Sequence, residues 1–151
     1  MKRKWEIEKL KDPKQLKKTA NIVLNNRIES LVISINKYFD VLSVESLHDI
    51  RIALRRVRYS MELFIVCYNK KIFLKFYNKI QSLQDSSGSV RDVDISLENI
   101  NSLVADNQIK IDSEIITKAV EKKTLLEDNF RLELKKFILN KSFNDFLKQI
   151  S

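Results

Sequence analysis

An all-α fold is predicted by three features of this sequence. Only one glycine and one proline occur in 151 residues, whereas β and α/β folds need glycine at many of their turns. Long stretches carry apolar residues at three- and four-residue steps, the period of one buried helical face. Apolar residues make up 44% and charged residues 32%, a balance that folds and stays in solution rather than remaining disordered. The expected architecture is an antiparallel helical bundle of about four main helices with short extra helices. One domain over residues 1–151 is long enough to bury a core. No internal repeat or linker interrupts it.

The elements follow in order. A basic segment, residues 1–12, precedes the first helix and is expected to be flexible. Asp12-Pro13 then supplies an N-cap and a first helical residue whose missing N–H costs nothing there. From Leu16 through Ala20, Val23, Leu24, Ile28, Leu31, Ile35 and Phe39 one apolar face recurs. A second helix is expected to start near Ser46, capped with Asp49 three residues later, and to run to about Asn69. Its core face reads Leu47, Ile50, Leu54, Val57, Met61, Phe64 and Ile65. The stretch KIFLKFYNKIQSLQDSSG is a third helix, and the lone Gly88 is read as its C-cap. Ser89 with Asp92 is a second capping-box pattern and opens a helix VRDVDISLENINSLV. A polar loop, Ala105–Asp112, leads to a long helix over 113–139. Asn140 ends that helix, and FNDFLKQI is a short terminal one.

Several functions are disfavoured by what is missing. No run approaches the length of a membrane span, and MKRKWEIEKL lacks the apolar stretch of a signal peptide. The single Cys67 cannot make an internal disulfide and sits among apolar neighbours, where a thiol packs as a small hydrophobe. With one histidine it offers little to zinc. A reducing cytoplasm is the simplest setting. The only glycine rules out a GxxxxGK[ST] phosphate loop. Asp92 and Asp94, two apart on a helix, point in different directions and make no metal pair. A general base built on His48 would need a nucleophile and an orienting partner that the sequence does not identify. Neither catalysis nor a cofactor is expected.

The net charge of +8 is unevenly placed. Residues 1–18 hold eight basic and three acidic groups, residues 44–91 nine and four, and residues 92–151 nine and eleven. Within SLHDIRIALRRVRYSMELF the only histidine and four arginines fall in eleven positions. At 100° per residue His48, Arg51, Arg55 and Arg58 share a stripe of about 80°, opposite the apolar face. Arg56 and Asp49 stand apart from it. Like charges three and four residues apart repel by a few tenths of a kcal/mol each. A face serving solubility alone would mix signs or use lysine, whereas arginine presents a rigid donor fork matched to phosphate oxygens. The stripe is therefore read as a polyanion site. Lys14, Lys17 and Lys18 are a further basic cluster, either a solvated face or an extension of the site.

LHDIRIALRRVR (Leu47–Arg58) followed by SSGSVRDVDI (Ser86–Ile95) resembles the CHAD family, the conserved-histidine α-helical domain. His48, Arg51, Arg55, Arg56 and Arg58 match its first motif. Gly88, Arg91, Asp92 and Asp94 match its second. Ser87 stands where that motif has Leu, and Ile52 and Val57 where the first has Val and Leu. The resemblance implies a non-catalytic domain that binds inorganic polyphosphate on a basic surface, in a family whose members often accompany a CYTH triphosphatase domain. It adds Arg91, as a direct phosphate ligand or as a brace that orients the site, and gives Gly88, Asp92 and Asp94 a structural part.

Family members typically pair two similar bundles, and this sequence covers one. A homodimer facing itself across a basic groove is therefore expected. Phe73, Phe76 and Tyr77 are the apolar surface expected to be left over for it. The competing reading is a helical nucleic-acid-binding protein using the same basic face, although no helix-turn-helix and no cluster of base-reading Asn or Gln accompanies it. A protein-interaction bundle meeting an acidic partner is the third.

Overall fold

A computed structural model describes residues 12–106 and 110–151. The basic segment before Asp12 lies outside the described residues but for Asp12 itself. Among the described residues all regular structure is helical: α1 (Pro13–Asp40), α2 (Val44–Phe64), a 3-10 turn (Ile65–Cys67), α3 (Lys70–Ala105), α4 (Ser113–Leu139) and α5 (Lys141–Ile150).

α1 begins as expected. The Asp12 carboxylate accepts from the Lys14 N–H at 3.0 Å, with Pro13 in the first turn. Ala20, Leu24, Ile28, Leu31, Ile35 and Tyr38 form its buried face. Three residues connect it to α2, whose start differs from the expectation. Ser43, with extended backbone, is the N-cap and Ser46 is the third helical residue. Each serine hydroxyl accepts from the other's backbone N–H, at 3.0 and 3.1 Å, so the box closes three residues earlier than Ser46 with Asp49 would place it. Ser46 Oγ also reaches the Val41 carbonyl at 2.7 Å, which ties the connection to the helix it starts.

The larger correction concerns Gly88. It is not a C-cap: α3 runs unbroken from Lys70 to Ala105, and the expected break into two helices at Ser89 is absent. The buried face explains why. Phe73, Phe76, Ile80, Leu83, Ser87, Val90 and Asp94 recur at alternating steps of three and four straight across the glycine. A helical glycine costs only about 1 kcal/mol relative to alanine, less than the packing of either neighbouring turn supplies. Ser89 caps nothing and its hydroxyl donates back to the Asp85 carbonyl at 3.3 Å.

α4 and α5 are separated by Asn140 alone, which closes the first and caps the second through the Ser142 N–H at 2.7 Å. Phe143 and Phe146 of α5 enter an aromatic cluster with Tyr68, Phe73, Phe76 and Phe137, in which Phe76 and Phe146 stack at 4.3 Å, and Ile150 is buried as well. The Ile150 carbonyl accepts from Asn25 of α1 at 2.8 Å. Phe73 and Phe76 are thus fully buried and are not available to a second copy, while Tyr77 is half-buried. From 95 to 106 and from 110 to 129, by contrast, no described residue is buried.

Candidate functional site

α2 is long and straight enough to space four cations along about 15 Å of one face. Its apolar side is fully engaged: Leu47, Ile50, Leu54, Val57 and Met61 are buried. The charged stripe therefore has to face outward. His48 and Arg55 are exposed, and Arg51 and Arg58 half-buried. Among the described residues no carboxylate lies within ion-pair distance of His48, Arg51 or Arg55. Arg58 alone is engaged. Its Nη1 donates to Gln84 Oε1 at 3.1 Å, its Nε stands 3.3 Å from Glu62 Oε1, and its guanidinium lies over the Tyr59 ring at 5.0 Å. Tyr77 Oη donates to the same Glu62 oxygen at 2.6 Å, and that bond is the first cause of its raised pKa.

These contacts set the register of α3 against α2. Glu62 meets Tyr77 and Arg58 meets Gln84. Tyr77, Gln84, Gly88 and Arg91 follow at steps of seven, four and three, so all four lie along one face of α3, the face turned to α2. Continuing the register toward the start of α2 puts Gly88 and Arg91 level with Arg55 and Arg51. A Cβ placed on Gly88 would meet nothing within 4 Å. The glycine thus borders open space within the helix and does not end it.

Arg91 sits in mid-helix, not in the first turn of a new helix. It pairs with Glu98 at 3.5 Å. Asp94 is turned the other way, 5% exposed, with Lys123 Nζ of α4 at 2.7 Å from Oδ1. The hydrogen bond to Asp94 is the largest cause of the raised Lys123 pKa, and burial opposes it. Asp92 is exposed, and its carbonyl accepts from Ser96 Oγ at 2.9 Å. Arg56 faces α1, where it lines a small hollow of about 300 Å³ with Arg27 and Asp49, away from the stripe. Lys14, Lys17 and Lys18 are exposed in the first turns of α1. The Lys17 charge acts on the Cys67 thiol, whose pKa burial raises, which puts this cluster at the end of α2 remote from His48.

The sequence reading missed Glu62, Tyr77 and Gln84 as neighbours of Arg58, and Lys123 as the partner of Asp94. The seven-residue spacing of Tyr77, Gln84 and Arg91 was a usable signal for the first group. No local pattern links 94 to 123. No group of three or more described His, Cys, Asp or Glu side chains could hold a metal ion, and no described helix is long and apolar enough to cross a membrane.

Comparison with known proteins agrees with the motifs. No curated protein and no solved structure matches the chain. Residues 2–101 match the family model of the CHAD domain, a stretch that contains α1, α2 and most of α3 with both halves of the α2–α3 face. That family is associated with polyphosphate binding and is generally non-catalytic. With two thirds of its length matched, this chain belongs to the CHAD domain family.

Proposed function

We infer that the chain is a non-catalytic binder of inorganic polyphosphate, or of a similar phosphate polyanion, and that α2 carries the site. One observation supports this most: His48, Arg51 and Arg55 share an outward stripe, and no described carboxylate neutralises them. A folded chain tolerates such mutual repulsion with least cost when a polyanion relieves it. Arg58 is held in line by Glu62 and Gln84, and Arg91 extends the stripe across the open flank of Gly88. Arg56, Lys14, Lys17 and Lys18 form outlying contacts for a long chain passing over the surface rather than parts of one pocket. Gly88, Asp92 and Asp94 serve the scaffold, Asp94 through Lys123.

Within this reading the five helices form one antiparallel bundle and one domain in the cytoplasm, and a second copy places an equivalent stripe opposite the first. Phe73 and Phe76 are buried and cannot serve such a dimer, and in this reading the shared polyanion drives the pairing. Sedimentation with and without polyphosphate tests it. A dimer only with polyphosphate fits, and a monomer under both conditions excludes it.

Nucleic acid is the second reading because it offers the same phosphates. A polyphosphate chain is denser in charge and carries no bases, and the stripe presents no cluster of Asn or Gln to read them. Competition between polyphosphate and duplex DNA of equal total charge, at several salt concentrations, separates the two. Polyphosphate should displace DNA throughout, and DNA winning at any salt overturns the assignment.

A further inference from the structure

A wide cleft lies elsewhere, on a face of α3 not turned to α2. It offers about 650 Å³ between α3, α4 and α5, within the range that holds small organic ligands. Lys75 and Lys79 enter from successive turns of α3 and Lys136 from α4. Among the described residues no carboxylate lies within ion-pair distance of any of the three. The one acid in the wall, Glu133, accepts from Ser86 Oγ at 2.7 Å.

Two further features separate this cleft from a solvated lysine face. Leu83 and Phe137 line its inner side, each 3% exposed, between the aliphatic stems of the lysines. Asn140 uses its Oδ1 to cap α5, which leaves its amide nitrogen as a donor beside Ser142. The carbonyl end of α4 and the amide end of α5 meet there, so their dipoles offset and the lysines set the sign of the potential. A bare phosphate chain makes no use of an apolar lining, whereas an ester with a carbon body does.

We propose that this cleft is a second anion site, which takes a small phosphorylated organic molecule with its phosphate among Lys75, Lys79 and Lys136 and its body against Leu83 and Phe137. The site is independent of the α2 stripe and of what binds there.

Calorimetric titration of the full chain with adenosine 5'-monophosphate, and separately with inorganic phosphate, tests it. Saturable binding of the ester is expected, weakened at least about tenfold in Lys79→Gln with Lys136→Gln, since charge-assisted contacts are lost. Arg51→Ala with Arg55→Ala should bind the ester like the parent chain, and inorganic phosphate should bind more weakly than the ester. The proposal is overturned by no saturable binding at millimolar ester, by undiminished binding in the lysine variant, or by equal affinity for inorganic phosphate. Should the lysine variant lose its helical circular dichroism, amide chemical shifts of the parent chain decide instead. Ester-induced shifts at Asn78 and Ser142 support the cleft, and shifts confined to α2 overturn it.

Discussion

The Asp94–Lys123 contact and the α2 stripe treat charge in opposite ways. Toward α4, the buried Asp94 carboxylate meets Lys123 at 2.7 Å and Glu133 takes the Ser86 hydroxyl, so these two carboxylates find partners inside the fold, unlike the lysines of the cleft. Toward α2, His48, Arg51, Arg55, Arg58 and Arg91 line up with two carboxylates in contact, Glu62 on Arg58 and Glu98 on Arg91. Paired charge ties helices together. Unpaired charge of one sign does nothing for the fold and is informative about a ligand for that reason. The contrast predicts that substitutions at the Asp94–Lys123 pair move stability and leave polyanion binding alone, and that those at the unpaired arginines of α2 do the reverse.

The largest stability effect should come from Lys123→Met, which leaves the buried Asp94 carboxylate without its cation. A loss of about 3 kcal/mol is expected, at the low end for a broken buried pair because Lys123 reaches solvent. Asp94→Asn should cost less, about 1 kcal/mol, since the amide needs no counter-charge. Denaturant unfolding measures both, and equal losses would mean that the pair is not held as described. The same pair has a pH signature. The Lys123 pKa lies above its ordinary 10.5, so its contribution is complete below that value and is lost as pH rises through the raised one. Tyr38, raised chiefly by burial, and Tyr77, raised chiefly by Glu62, act with the same sign from their ordinary 10.0 upward. Stability should therefore fall in the alkaline range above about pH 10, less steeply in Asp94→Asn.

Gly88→Ala sharpens the comparison at lower amplitude. With the glycine helical and nothing near its missing Cβ, alanine should stabilise by about 0.5–1 kcal/mol. A C-cap in left-handed conformation would lose stability instead.

Most of the fold was legible because its period was. The buried faces of α1 and α2 are the apolar residues that recur at three and four, from Ala20 to Ile35 and from Leu47 to Phe64. α3 was misread at one point, where local turn chemistry and the longer pattern disagreed. Ser87 and Asp94 occupy core positions on either side of Val90, so the apolar repeat is interrupted where the glycine suggests an end. Asp94 could be recognised as a core residue only with Lys123 in view, 29 positions away on another helix. The stripe on α2 was legible for the opposite reason, because a single helix carries it. Its α3 wall was only half legible, since Arg91 was placed at a helix start that does not exist.

Two smaller effects probe the α2 side. Glu62→Gln removes the carboxylate competing with phosphate for Arg58, and polyphosphate affinity should rise by a few tenths of a kcal/mol, with the Tyr77 pKa lowered as its partner loses charge. An unchanged affinity would mean that Arg58 takes no part. His48→Ala should weaken polyphosphate binding modestly, by less than the loss of either Arg51 or Arg55, because it removes one donor of the stripe. An affinity unchanged by that substitution would make His48 a structural residue.

The most direct measurement is polyphosphate affinity of Arg51→Ala with Arg55→Ala beside its unfolding curve. Each lost contact is worth about 1.5–3 kcal/mol where water is excluded, so affinity should fall about a hundredfold or more, with a shallower salt dependence. Unfolding should match the parent chain, because neither side chain has a described ionic partner. Undiminished affinity in a folded variant would contradict the assignment of the polyanion site to α2.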